Sequence, residues 1–386
     1  MGMERKSNEE GIQVEDIISA IKGHVPDMYE FNPKESLNMK HKTYKDSPRR
    51  ADQMHCVVCV VEADKITLMD KSLVNKFETI RSQVNKMKAE QPPPPPPPKP
   101  LLEKPWRNLE LNEQVKNELL QDIRNYETLT ESVEEPRILL IGQIGAGKSS
   151  FFNSVKSIFR GHVTLQAGSG QGETSVSNLY RIYPVHDGKG GKRLPYILCD
   201  TMGLEREQNE DGIHMNDIIS VINGHVPDLY EFDPKASITK NDIRYRHEPV
   251  LGDKVHCVVF VIDADKMSLI NKILRQKFQS IRTTVHKMGI PVLVLITKVD
   301  EACLEVKKDL SKVYWSRYLN EKVTKLGQEL GVPMSAISLV RNYSSETDLD
   351  WNFDILILNA LKQMLRAADD CLDDMKLRGL TRSSST

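Results

Sequence analysis

No stretch of this sequence is apolar for long enough to cross a bilayer. The longest apolar runs, such as Pro291-Val-Leu-Val-Leu-Ile296, have strand length, whereas a spanning helix needs about 20 residues. An excess of one charge is also missing. The net charge of -1 provides no basic footprint and argues against a nucleic-acid partner. The opening Met-Gly-Met-Glu-Arg-Lys has no apolar run behind it, so no secretory leader is expected. Lys6 stands where a myristoylation signal needs Ser or Thr, and the closing Arg-Ser-Ser-Ser-Thr is no prenylation box. Together these absences predict a soluble, cytoplasmic protein with no membrane span. Cysteine is scarce: the six present show no framework spacing. Cys56-Val-Val-Cys59 has the form of a redox pair, but it lies in the apolar run His55-Cys-Val-Val-Cys-Val-Val61. That run reads as a buried strand, whereas a redox pair needs an exposed turn at a helix start.

The chain has 386 residues, 39% of them hydrophobic, enough for one large domain with additions. Its main organisational feature is a repeat. Residues 1–87 align with 202–288 without a gap, at a constant offset of 201, and about half the positions are identical. Ile17-Ile-Ser-Ala-Ile-Lys-Gly-His-Val-Pro-Asp27 matches Ile218-Ile-Ser-Val-Ile-Asn-Gly-His-Val-Pro-Asp228, and His55-Cys-Val-Val58 matches His256-Cys-Val-Val259. Two large, separated copies are no solenoid. Between them stand seven prolines, Pro92 to Pro98. Such a run forms neither helix nor sheet and favours polyproline II. It reads first as a stiff spacer of about 3.1 Å per residue, and second as a ligand for an SH3 or WW partner.

After the prolines, residues 106–126 show helical periodicity through Leu109, Leu111, Val115, Leu119 and Ile123. From Arg137 onward, apolar runs of strand length at 138–141, 176–183, 194–199, 258–262, 292–296 and 337–340 alternate with amphipathic stretches at 148–159, 268–288, 306–330 and 353–377. The alternation predicts an α/β fold with a mostly parallel central sheet flanked by helices.

Three motifs sit at the ends of these predicted strands. Gly142-Gln143-Ile144-Gly145-Ala146-Gly147-Lys148-Ser149 satisfies GxxxxGK[ST], directly after a strand and before a helix. Its glycines let the backbone wrap closely, so that N–H groups point at phosphate oxygens, and the helix N-terminus adds positive potential. Lys148 is expected to reach the β- and γ-phosphates, Ser149 to ligate Mg²⁺, and Ser150 to lie beside them. Asp200-Thr-Met-Gly203 follows a strand, 52 residues beyond the lysine. In P-loop GTPases such a DxxG holds Mg²⁺ through water with its Asp and senses the γ-phosphate with its Gly. Thr297-Lys298-Val-Asp300 fits [NT]KxD. The Asp300 carboxylate can accept from guanine N1–H and the N2 amine, whereas adenine would leave buried acceptors unpaired at a cost of about 1–3 kcal/mol. Lys298 would lie along the base plane. The expected ligands are therefore GTP or GDP with Mg²⁺, and Asp300 disfavours an ATPase.

Two elements are fainter. A switch threonine for Mg²⁺ is best placed at Thr174, with Thr164 as the alternative; Lys148 and Thr174 are the catalytic candidates. A fifth guanine loop is expected at Arg341-Asn342-Tyr343, with Asn342 at the base. One residue is absent: Leu204 follows the DxxG glycine where Ras-type enzymes carry a water-orienting glutamine, and Gln208 stands too far on to replace it. Slow hydrolysis is expected unless a partner or a dimer completes the site. His225 and His256 recur as His24 and His55 in the copy without a P-loop, so both read as structural.

These motifs, with Lys104-Pro-Trp-Arg107 and the run 137–151, make the chain resemble the interferon-induced protein 44 family over about 101–375. The resemblance implies a cytosolic GTP-binding protein of the interferon-induced innate and antiviral response. It also implies an insert between DxxG and TKxD, whose aspartates are 100 residues apart here. By analogy with related large GTPases, it suggests a homodimer through the nucleotide face. The expected organisation is a partial repeat at 1–90, a proline-rich linker at 91–100, a helical extension at 101–135, a GTP-binding domain at 136–370 and a tail at 371–386. The partial repeat starts after the DxxG aspartate and stops before TKxD, so it is expected to bind no nucleotide and to fold poorly alone. Against a slow or partner-activated GTPase stands a second reading, a catalytically weak GTP/GDP-binding scaffold that acts through protein partners.

Overall fold

A computed structural model describes residues 12–54, 56–61, 69, 71–90, 99–164, 178–188, 190–204 and 212–379. The chain divides into two compact units, Met1–Pro97 and Pro98–Thr386.

The larger unit is built on six strands. They are β1 (Arg137–Gly142), β2 (Arg181–His186), β3 (Arg193–Asp200), β4 (Val255–Asp263), β5 (Val292–Thr297) and β6 (Ile337–Leu339). Their order is β2-β3-β1-β4-β5-β6. Every pairing is parallel except the β2–β3 hairpin. All nine residues of β4 are buried, as expected for a central parallel strand with helices above and below.

The helices of this unit are α3 (Glu113–Arg124), α4 (Lys148–Arg160), α5 (Met215–Ile222), α6 (Lys272–Lys287), the short α7 (Val299–Ala302) and α8 (Leu304–Lys308), α9 (Arg317–Leu330) and α10 (Trp351–Leu377); α1 (Val14–Lys22) and α2 (Lys71–Glu90) belong to the smaller unit. Helix α10 packs on β1, β4, α3 and α4, while α6 packs on β5 and α9.

The mostly parallel sheet flanked by helices agrees with the sequence reading, but several elements differ. The helix expected over 106–126 starts only at Glu113, because the Asn112 side chain accepts from Val115 N–H and caps it there. Upstream of that cap the chain forms no helix: Leu102 and Trp106 donate their N–H groups to the carbonyls of Trp315 and Tyr314. The helix expected over 306–330 is interrupted. Asp309 accepts from Ser311 N–H, and Ser316 caps a new helix through Leu319 N–H. The strand expected over 176–183 begins at Arg181. Helix α10 matches the helical stretch expected over 353–377, and with Cys371, Leu372 and Met375 buried it carries the domain past the boundary expected at 370.

The insert after DxxG holds a small module around α5. Buried Asp217 accepts from Ile238 N–H at 2.7 Å, and His225 Nδ1 bonds Arg246 O at 2.8 Å while its ring stacks on Tyr245. In the smaller unit the corresponding residues repeat these contacts. Asp16 accepts from Leu37 N–H at 2.6 Å, and His24 Nδ1 bonds Lys45 O at 2.8 Å and stacks on Tyr44. Residues 12–54 therefore hold local structure that the sequence reading did not anticipate. The run after them differs in the other direction. Residues 56–61 form no strand, Cys56 and Cys59 are exposed, and Val60 is 89% exposed. The expected buried strand is absent because such a strand needs neighbours on both sides, and none stands there among the described residues.

His256 shows why a buried histidine here is structural. It is fully buried in β4, and its Nδ1 accepts the Arg137 N–H at 3.0 Å. Burial, assisted by the Arg137 charge, lowers its pKa to about 4. Protonation would set a donor against a donor. Between the unfolded value of about 6.5 and the folded value, only the unfolded state takes the proton, so stability falls as pH falls through that window, by up to about 3 kcal/mol. Denaturant unfolding at about pH 7 and about pH 4.5 is expected to show this loss in the wild type and a smaller one in His256→Gln. Equal losses would contradict the assignment.

Candidate functional site

Parallel strands deliver their carboxyl ends to one edge of the sheet. Leu140 lies beside Asp200, Gly142 beside Val261, and Asp263 beside Thr297. The chain reaches β3 on one side of β1 and β4 on the other, and such a switch point leaves a crevice beyond the strand end.

The loop 143–147 leaves β1 there and enters α4. Gly147 takes φ +90°, and a Cβ on it would stand 3.0 Å from Asn342 Nδ2 and 3.3 Å from the Thr297 side chain, so only glycine suits both the conformation and the space. Lys148 is buried, and its Nζ donates to the carbonyls of Gly142 at 3.3 Å and Gln143 at 3.2 Å. Burial lowers its pKa, opposed by the Asp200 charge. An ammonium has three donors, and among the described residues no carboxylate bonds this one. A buried cation held only by carbonyls, at a helix N-terminus, suits an anion.

Ser149 Oγ donates to Asp200 Oδ2 at 2.6 Å. Asp200 is almost fully buried, and its Oδ1 has no hydrogen-bond partner among the described residues. Burial raises its pKa, while Lys148 and the Ser149 hydroxyl act against that rise. Two hard oxygens beside an unpaired carboxylate oxygen fit a Mg²⁺ ion. Gly203 brings the following turn onto the loop, since a Cβ there would lie 2.5 Å from Ile144 Cγ1 and 2.9 Å from Ile144 N. Leu204 is wholly buried, and its N–H donates to Gly142 O at 3.1 Å. Its side chain is part of the core.

The third motif locks onto the first. Thr297 Oγ1 donates to Ala146 O at 2.7 Å. Lys298 adopts φ +55°, which is unfavourable for a residue with a Cβ, and its Nζ pairs with Asp263 Oδ2 at 2.7 Å. Asp300 pairs with Arg341 at 3.2 Å. Arg341 is itself held by Glu346 at 2.9 Å and lies 4.3 Å over the Phe353 ring. Asn342 Nδ2 donates to Gly147 O at 3.1 Å, and Tyr343 N–H to Ser154 Oγ at 2.9 Å.

The structure thus gathers Gly142, Gln143, Ile144, Gly145, Ala146, Gly147, Lys148, Ser149, Asp200, Gly203, Thr297, Lys298, Asp300 and Asn342 at one edge. Ser150 lies in the first turn of α4, where its carbonyl accepts from Ser154. Thr174 and Gln208 fall outside the described residues. Thr164 bonds Ser157 through both its N–H and its hydroxyl. Ser157 is two turns of α4 beyond Ser149, about 12 Å at 1.5 Å per residue, so Thr164 is away from the Ser149–Asp200 pair. Sequence reasoning missed Asp263 and the pairing of Arg341 with Asp300. A signal existed for the first: Asp263 is the charge that ends the apolar run of β4.

Residues 137–298 match the family of 50S ribosome-binding GTPases. The chain is 45% identical over 263 residues to the Homo sapiens protein named interferon-induced protein 44-like, a stretch that is 68% of this chain and 58% of the relative. It is 44% identical over 262 residues to interferon-induced protein 44 of Homo sapiens, covering 68% of this chain and 59% of that protein. With the Mus musculus protein of that name it shares 40% over 259 residues, 67% of this chain and 61% of the relative. The chain therefore spans about three fifths of the length of the curated relatives it matches. Over this stretch, with its GTPase domain at the centre, the chain is homologous to the proteins named interferon-induced protein 44 and interferon-induced protein 44-like.

Proposed function

We propose that residues 136–370 bind GTP or GDP with Mg²⁺ and act as a slow or partner-activated GTPase in the interferon-induced innate and antiviral response of the cytoplasm. The observation that carries this reading is the contact between the phosphate and base motifs: Thr297, first residue of TKxD, donates to the carbonyl of Ala146 in the P-loop. That bond supports one ligand reaching from phosphate to guanine.

In this reading Lys148 and the backbone N–H groups of 143–149 hold the phosphates. Ser149 and Asp200, with Thr174, hold Mg²⁺, which when bound neutralises phosphate charge. Gly203 offers its N–H to the terminal phosphate. Lys298 lines the base, Asp300 selects guanine, and Asn342 steadies the loop beside it. Residues 101–135 extend the domain as a helical brace. Residues 91–100 act as the spacer to the partial repeat at 1–90.

Leu204 favours a second reading, a scaffold that holds GTP or GDP and works through protein partners. A buried leucine in the position after DxxG orients no water.

Two outcomes test these readings. Removal of the buried ammonium in Lys148→Ala is expected to weaken Mg²⁺-dependent GTP binding about a hundredfold, the scale of a lost charge-assisted contact; unchanged affinity, measured with fluorescent GTP, contradicts the site. Turnover by the protein alone is expected on the order of 0.001 per second or slower. Stimulated multiple turnover on addition of a partner or on self-association supports the enzyme, whereas GTP that stays bound and intact under both conditions supports the scaffold.

A further inference from the structure

The insert module and residues 12–54 share sequence and internal bonding, yet they part at one stretch. In the insert, residues 228–232 run antiparallel along 178–182. Leu229 N–H donates to Tyr180 O at 2.9 Å, Tyr180 N–H to Tyr230 O at 2.8 Å, and Phe232 N–H to Asn178 O at 2.8 Å. Asp228 Oδ1 completes the series by accepting Ile182 N–H at 2.8 Å. This clip covers the start of the sheet's edge and buries Tyr230 and Phe232.

The corresponding stretch in the smaller unit is Asp27-Met-Tyr-Glu-Phe31, against Asp228-Leu-Tyr-Glu-Phe232. Its shape is the same. Met28 and Leu229 both take φ +60°, and the Tyr–Phe ring pair stands at 5.2 Å in one copy and 5.4 Å in the other. Among the described residues it has no counterpart of the 178–182 edge bonded to it. Asp27 Oδ1 turns back to its own neighbour, Met28 N–H, at 3.0 Å. The backbone groups of 29–31 have no hydrogen-bond partner among the described residues. Met28 is 92% exposed. A left-handed φ at a residue with a long side chain is costly. Here it is kept where no described residue bonds to the backbone of 29–31, so the stretch is held ready for an edge strand, which lowers the ordering cost of binding.

We propose that residues 27–31 form a β-augmentation surface whose partner is a second copy of this chain, pairing with residues 178–182 of that molecule in the place of its own 228–232. The fit is read from this chain itself. The edge offers the N–H groups of Tyr180 and Ile182 and the carbonyls of Asn178 and Tyr180. Residues 27–31 carry the matching groups: the Asp27 carboxylate, the Tyr29 carbonyl and the N–H groups of Met28 and Phe31. The resident clip is tethered to its edge and competes at high effective concentration. Exchange between molecules is therefore weak in the wild type and grows when the resident clip is loosened.

Equivalent substitutions in the two copies consequently have opposite effects. In sedimentation velocity of the full chain over a concentration series, Asp228→Ala strengthens self-association by about tenfold or more, the scale of one lost bond to a charged acceptor. Adding Asp27→Ala in that background reverses the gain, and so does Phe31→Pro, which removes the Phe31 donor. A synthetic peptide of residues 176–186, offered to the Asp228→Ala protein, returns it to monomer. Circular dichroism checks that each variant is folded, and the peptide arm decides where a variant is not. An Asp228→Ala protein that stays monomeric, or one whose association ignores both the residue 27 change and the peptide, overturns the proposal.

Discussion

A strand buried on both faces must have neighbours on either side and helices above and below, because its backbone groups and its apolar side chains have no other outlet. β4, with nine buried residues in a row, imposes that condition on the larger unit. It takes β1 along one side and β5 along the other, and α10 packs across it. Parallel pairing then leaves the carboxyl ends of β1, β3, β4 and β5 on one edge. The buried sheet thus places DxxG and TKxD each within bonding distance of the P-loop before any ligand is considered. The smaller unit shows the converse. Residues 56–61 carry almost the same apolar run as 257–262 of β4, yet with no strand beside them among the described residues they form no strand and are exposed.

The candidate site stores its electrostatics in that edge. Lys148 and Asp200 are buried opposite charges, each pushed by burial toward its neutral form and each pulled back by the other. Among the described residues neither is fully satisfied: Lys148 bonds only carbonyls and Asp200 leaves one oxygen bare. Such a pair costs stability by itself and fits a polyanion with its counter-cation. On the base side, paired charges do the positioning. Asp263 holds Lys298 in its left-handed turn, and Arg341 holds Asp300.

The parts legible in the sequence were those whose chemistry demands local order. Glycines at fixed spacing before a lysine, an aspartate at a strand end, and a threonine three residues before an aspartate each carry their meaning within a few positions. Alternating apolar runs gave the sheet. What stayed hidden depends on pairings distant in sequence. The insert module is held by side-chain-to-backbone bonds such as Asp217 to Ile238 and His225 to Arg246, which leave no periodicity. Its α5 is only eight residues long. Asp263–Lys298 and Arg341–Asp300 join different strand ends, so neither aspartate shows its partner in the linear sequence. The break near residue 309 was readable, since Asp309 and Ser316 are cap-forming residues, but the apolar spacing on either side masked it.

Base selection is the most direct test of a guanine site, because it depends on two atoms. In the proposed site the Asp300 carboxylate would accept from guanine N1–H and the N2 amine; xanthine carries an oxo group in place of that amine, and a carboxamide N–H can donate to it. Equilibrium binding of GTP, ATP and xanthosine triphosphate should be measured for the wild type and for Asp300→Asn. The account predicts that the wild type prefers GTP, and that the variant loses GTP affinity while gaining xanthosine triphosphate. A wild type that takes ATP as readily as GTP, or a variant with unchanged preference, would contradict it.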